Sequence, residues 1–113
     1  MIIAKLTNDL KKSVVGRHNP FETYKQFGRR FGFSTDYCPS WANRPVLDAV
    51  AAALRSDPDV GLDLTFLIRN GSTGYPSVID GKPYDESEQS KKRAHSVAEQ
   101  IIKKYHLSVS NPY

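Results

Sequence analysis

The spacing of apolar positions changes several times along this chain, and each change marks an element. Ile2, Ile3, Leu6, Leu10 and Val14 recur at helical intervals with Lys5, Lys11 and Lys12 between them. That predicts a first helix ending near Gly16. A second start signal follows: Asn19 as cap, Pro20 at the first helical position, and Glu22 three residues after the cap, within reach of its amide. Phe21, Tyr24, Phe27 or Gly28, and Phe31 share one face of this helix, while Lys25, Arg29 and Arg30 fall on the more exposed side and Gly32 stops it. Residues 34–43 break the pattern with Pro39, which predicts a connector whose single tryptophan, Trp41, plugs the core. Asn43, with Pro45 just inside, then opens a third helix. Its apolar stripe is Val46, Leu47, Val50, Ala53 and Leu54, and its opposite face presents Arg44, Asp48, Ala51, Ala52 and Arg55. Ser56-Asp57-Pro58 ends it, because the residue before a proline avoids the helical region.

The period then falls to two. Leu62, Leu64, Phe66 and Ile68 alternate with Asp63, Thr65, Leu67 and Arg69, which predicts a strand. Asn70-Gly71 follows at once and predicts a hairpin, since both residues tolerate positive φ. The returning arm, around Tyr75 to Ile79, is interrupted by Pro76 and so reads as an edge strand or a bulge. Asp80-Gly81-Lys82-Pro83 is a turn, and Asp85 with Glu88 forms the cap pair of a last helix over about residues 86–106. Ala94, Val97, Ala98, Ile101, Ile102 and Tyr105 hold helical spacing there for three turns, flanked by Lys91, Lys92, Arg93, Lys103 and Lys104. The tail from Ser108 to Tyr113 is expected to be loose. No repeat or linker divides the 113 residues. The expectation is a single α+β domain: a winged-helix-like helix bundle with a β-hairpin over about residues 19–81, and a long C-terminal helix packed across it.

The order helix, break, helix, hairpin between Thr23 and Gly74 is the layout in which one helix enters a DNA groove and a hairpin wing sits beside it. Three stretches also resemble one family: Thr23-Tyr24 with Gly28 and Gly32, the run Ala49-Val50-Ala51-Ala52-Ala53-Leu54-Arg55-Ser56-Asp57-Pro58, and the hydrophobic strand downstream. They are similar to the C-terminal winged-helix domain of DNA alkylguanine alkyltransferases and their non-catalytic alkyltransferase-like relatives. The run from Leu64 to Gly74 also looks like a strand and turn of small phage and restriction-associated winged-helix proteins. The resemblance implies a winged helix and contact with double-stranded DNA. It does not carry the catalysis. Where that family has a Pro-Cys-His-Arg motif, this chain has Leu64-Thr65-Phe66-Leu67, with no thiol to accept an alkyl group and no base to activate it. Asp48 stands where the family has an arginine that replaces a flipped base; a carboxylate there is repelled by phosphate and speaks against base flipping.

Charge sharpens the picture. The net charge is +4, distributed as +5 over residues 1–44, −3 over residues 45–66 and +2 over residues 67–113. A basic excess suits phosphate contact. The expected contact set is Arg44, Ala51, Ala52 and Arg55 in the groove, Lys25, Arg29 and Arg30 on phosphates, and Arg69 with Asn70 on the wing. The leading expectation is therefore a non-enzymatic double-stranded-DNA-binding protein or accessory module of a mobile element. Its competitor is a protein-interaction module on the same scaffold, docking through Asp57, Asp59 and Asp63 or through the C-terminal helix.

No catalytic residue, metal or cofactor is expected. Cys38 lies next to Pro39 without a histidine nearby and reads as an inert thiol. His18, His95 and His106 lack metal-ligand spacing. Gly71-Ser72-Thr73-Gly74 lacks the Gly-Lys-Ser/Thr of a phosphate loop. No apolar run reaches membrane-spanning length, no signal-peptide order opens the chain, and one cysteine excludes an internal disulfide; the expected location is cytoplasmic, with no membrane partner.

Overall fold

A computed structural model describes residues 2–36 and 39–113; the expectation for Cys38 lies outside them. Helix α1 (Ile2–Gly16) buries Leu6, Leu10 and Val14 on one stripe, as its spacing predicts. Two polar residues share that stripe, and each has a partner: Asp9 is held by Lys5 at 2.7 Å, and Ser13 accepts from Arg30 at 2.9 Å.

The second helix starts later than the Asn19-Pro20 signal predicts. Residues Glu22–Thr23 form an extended strand, β1, and α2 covers Tyr24–Phe31. Thr23 is the true cap. Its hydroxyl accepts from the Gln26 amide at 3.2 Å while the Gln26 side chain accepts from the Thr23 amide at 2.9 Å. This reciprocal box prevails over the Asn19–Glu22 pair. Asn19 instead accepts from the Phe21 amide in a local turn, and Glu22 is drawn into ion pairs described below. At the other end Gly32 adopts φ 76° and turns the chain back, as predicted. Gly28 permits the return path. A Cβ there would meet the Phe33 and Ser34 carbonyl oxygens at 3.1 Å, so a side chain would push the connector back by a few tenths of an ångström. Phe33 thereby stacks near Phe27 and Trp41, and the Trp41 indole donates to the Ser34 carbonyl at 2.8 Å. Trp41, in a short 3₁₀ turn (Ser40–Ala42), is 1% exposed, which makes it the core plug its position suggests.

Helix α3 (Arg44–Ser56) follows its sequence signals closely. Asn43 caps it by accepting from the Val46 amide, Pro45 lies just inside, and Leu47, Val50 and Leu54 are buried. Two alanines exchange roles: Ala51, assigned to the outer face, is 5% exposed, and Ala53, assigned to the stripe, is exposed.

The largest departure is at residues 62–69. The alternation predicts a strand, but Leu64–Leu67 forms a 3₁₀ helix, and only Ile68–Arg69 is extended, as β2. Period two presupposes one wet face. Here α1, α3 and the last helix all pack on the segment, so all four residues from Leu64 to Leu67 are buried, Thr65 included. Asp63 nucleates the turn by accepting from the Thr65 amide and hydroxyl. Strand β2 then pairs in parallel with β1, Ile68 opposite Glu22 and Arg69 opposite Thr23.

Asn70-Gly71 does not make the expected hairpin. The loop closes through the Asn70 amide donating to the Tyr75 carbonyl at 2.8 Å, with no ladder beyond it. The antiparallel pair comes next: β3 (Val78–Ile79) against β4 (Lys82–Pro83), joined by Asp80-Gly81 with φ of 53° and 81°. Two positive φ angles are what a two-residue primed turn demands. Helix α4 (Glu88–Lys104) is capped by Ser87, not by Asp85, which accepts from the Ser87 amide and the Ser90 hydroxyl. Its stripe of Ala94, Val97, Ala98 and Ile101 is buried as predicted. The fold is α+β.

The tail is not loose. Pro112 is buried, and the Tyr113 hydroxyl donates to the Phe66 carbonyl at 2.7 Å while its ring meets Phe21, Tyr75 and His95. Burial holds the Tyr113 phenol well above its ordinary 10.0, and burial raises Tyr24 as well. The neutral phenols therefore contribute stability that is complete below pH 10 and lost as pH rises toward their folded values. Alkaline titration followed by far-UV circular dichroism should show unfolding above pH 10, and Tyr113→Phe should move that transition to higher pH.

Candidate nucleic-acid interface

The expected contact residues divide between two faces. Arg29, Arg30 and Arg69 come together, although α2 and β2 lie far apart in sequence. The parallel pairing of β1 with β2 sets Arg69 beside the start of α2. These three arginines and Arg17 line one cleft of about 490 Å³, with Glu22 and Gln26. Glu22, 4% exposed, is its organising group. One carboxylate oxygen accepts from Arg30 at 2.5 Å and the other from Arg17 at 3.2 Å. Arg30 is also fixed by Ser13 and lies over the Phe31 ring at 4.4 Å. A buried carboxylate needs such partners, and this one has two. Arg29 and Arg69 have no ion-pair partner among the described residues. Lys25 is exposed on the first turn of α2.

Asn70 belongs to the loop more than to any surface. Its side chain accepts from the Ser72 amide at 2.8 Å and reaches Ser77 at 3.5 Å, which sets the loop's shape.

The outer face of α3 is different. Arg44 and Ala52 are exposed, but Ala51 and Arg55 look into a second cleft of about 360 Å³ shared with the β3–β4 hairpin and α4. Its charged walls are Asp48, Asp63 and Asp80 against Arg55 and Arg93. Arg93 is bound to Asp80 at 2.7 Å, and Arg55 lies 3.7 Å from Asp63. The cleft beside the face assigned to a DNA groove thus carries more acid than base, and the β3–β4 hairpin forms its other side. Asp48 is one wall of this cleft, not an isolated exception.

Asp63 is largely buried, and that burial pushes its carboxyl above the ordinary 3.8 despite the Thr65 donors and Arg55. A raised folded value means that its stability contribution is full below pH 3.8 and lost as pH rises through the folded value. Asp63→Asn keeps an oxygen for Thr65 and removes the penalised charge, so it should raise the urea midpoint at pH 7. Asp63→Ala leaves Thr65 unpaired and should cost about 1–2 kcal/mol. Urea titrations of both variants check this opposition of sign.

Two charged residues of the arginine cleft are absent from the expected set. Arg17 stands between elements, where sequence gives it no partner, and Glu22 looks like a capping residue until Thr23 and Gln26 are seen to fill that role. Among the described residues, no group of three or more His, Cys, Asp or Glu could hold a metal ion, and no helix is long and apolar enough to cross a membrane. The chain matches no protein-family model, no curated protein and no solved structure.

Proposed function

We propose that this protein is a non-enzymatic double-stranded-DNA-binding protein or accessory module, contacting phosphates through the arginine cleft between α2 and β2. The observation that supports it is the convergence of Arg29, Arg30 and Arg69 with Arg17 around one buried carboxylate. Guanidinium groups match phosphate oxygens in geometry and keep their charge at any working pH. The order α2, α3 and then a hairpin, here Val78–Pro83 and not the expected one at Asn70-Gly71, supports a winged-helix-like scaffold. The acidic walls beside α3 repel phosphate on that side, which leaves phosphate contact to the arginine cleft. Binding should then depend little on sequence and strongly on salt.

The run that stands where alkyltransferases carry their thiol is a buried 3₁₀ helix of Leu-Thr-Phe-Leu, which supports a non-catalytic role. The competing reading is protein docking through Asp57, Asp59 and Asp63 or through the C-terminal helix, and its acidic route is less favoured. Asp57 is bound to Lys11 at 2.6 Å and Asp63 is buried, which leaves Asp59 as the one exposed member.

The test is fluorescence anisotropy of a labelled duplex at two or more salt concentrations. The affinity should fall with a log–log slope of about 0.9 per phosphate neutralised. No binding at low salt would end this reading.

A further inference from the structure

The charge of the arginine cleft exceeds what an internal DNA phosphate supplies. Four guanidiniums line it against one carboxylate, four minus one, which leaves a net +3. None of these arginines can release its proton in a protein. Two of them are already paired. Glu22 pairs with both Arg17 and Arg30, and Ser13 adds a second restraint on Arg30, so the Arg30 plane is set before any ligand arrives. Arg29 and Arg69 have no ion partner among the described residues and complete the rim.

An internal phosphodiester brings one negative charge, whereas a phosphomonoester carries about −1.5 to −2 near pH 7 and offers three acceptor oxygens. A terminal phosphate together with the next diester therefore brings close to three negative charges. The cleft is a shallow one of about 490 Å³, with room for more than one phosphate group.

We infer that this cleft is a site for a phosphomonoester, presented as the terminal phosphate of a DNA strand. The inference rests on the DNA-binding reading and narrows it from backbone contact to strand ends. Arg29 and Arg69 close on the monoester, and Arg17 and Arg30 form its floor.

The experiment compares one short blunt duplex with 5′-phosphates, the same duplex with 5′-hydroxyls, and a 5′-mononucleotide as competitor, all by anisotropy at low salt. The 5′-phosphorylated duplex should bind about tenfold tighter than the 5′-hydroxyl form. Arg69→Gln or Arg29→Gln should bring the two affinities within about twofold, while Lys92→Gln, on an exposed part of α4, should preserve the difference. Unchanged urea midpoints establish that the arginine variants fold. Equal affinity for the two duplexes overturns the strand-end site and leaves DNA binding standing. No binding of either duplex removes both. A mononucleotide that competes as strongly as the phosphorylated duplex binds would overturn the strand end as the source of the phosphate.

Discussion

Replacing Trp41 by alanine should lower the unfolding free energy by about 4 kcal/mol, the range found for deleting a large buried aromatic. Since small domains are stable by only about 5–15 kcal/mol, the variant should be partly unfolded at 37 °C. Trp41 is 1% exposed and meets the rings of Tyr24, Phe27 and Phe33 at centroid distances of 5.6, 5.8 and 4.9 Å. Its loss empties the space where α2, the connector and the start of α3 converge. Trp41→Phe separates packing from hydrogen bonding. It keeps most of the volume but leaves the Ser34 carbonyl without its donor, which should cost about 1–2 kcal/mol. Urea denaturation by far-UV circular dichroism gives both values. A loss below about 1 kcal/mol for the alanine variant would show that the connector does not depend on this side chain.

The second large effect concerns binding. The Arg29→Gln, Arg69→Gln double variant should weaken duplex affinity about a hundredfold at low salt and reduce the salt slope by about 2, one per lost phosphate contact. The stability should not change, because neither side chain has an ion-pair partner among the described residues. The informative contrast is Arg44→Gln with Arg55→Gln on α3. Groove reading by that helix would make this pair the more damaging one. With Arg55 beside Asp63 and two further carboxylates in the same cleft, its effect should stay within about threefold. A larger loss from the α3 pair than from the α2–β2 pair would return the contact surface to α3.

Glu22 explains why the arginine cleft is hard to see in one dimension. Its partners are five and eight positions away, at spacings that no regular element brings together, and Arg69 reaches the same place only through the parallel pairing of β1 with β2. The arginines on α2 were visible as an exposed basic face. Their convergence with Arg17 and Arg69 was not.

Local chemistry in the sequence was sufficient for α1, α3 and α4, for the Gly32 stop and for the burial of Trp41. The helices and the stop each rest on a cap, a breaker or a stripe with a 3.6-residue period, which act within a few turns, and Trp41 on being the largest apolar side chain of its connector. Tertiary structure decided the rest. Residues 64–67 became a 3₁₀ helix because three helices cover them, which removes the wet face that alternation assumes. The Tyr113 side chain docked because the Phe66 carbonyl and three aromatic rings await it from distant segments. The outer face of α3 became the wall of an acidic cleft because the Asp80-Gly81 hairpin and Arg93 close over it. Periodicity records how many sides of a segment are dry, but which neighbours make them dry depends on contacts between residues far apart in the chain.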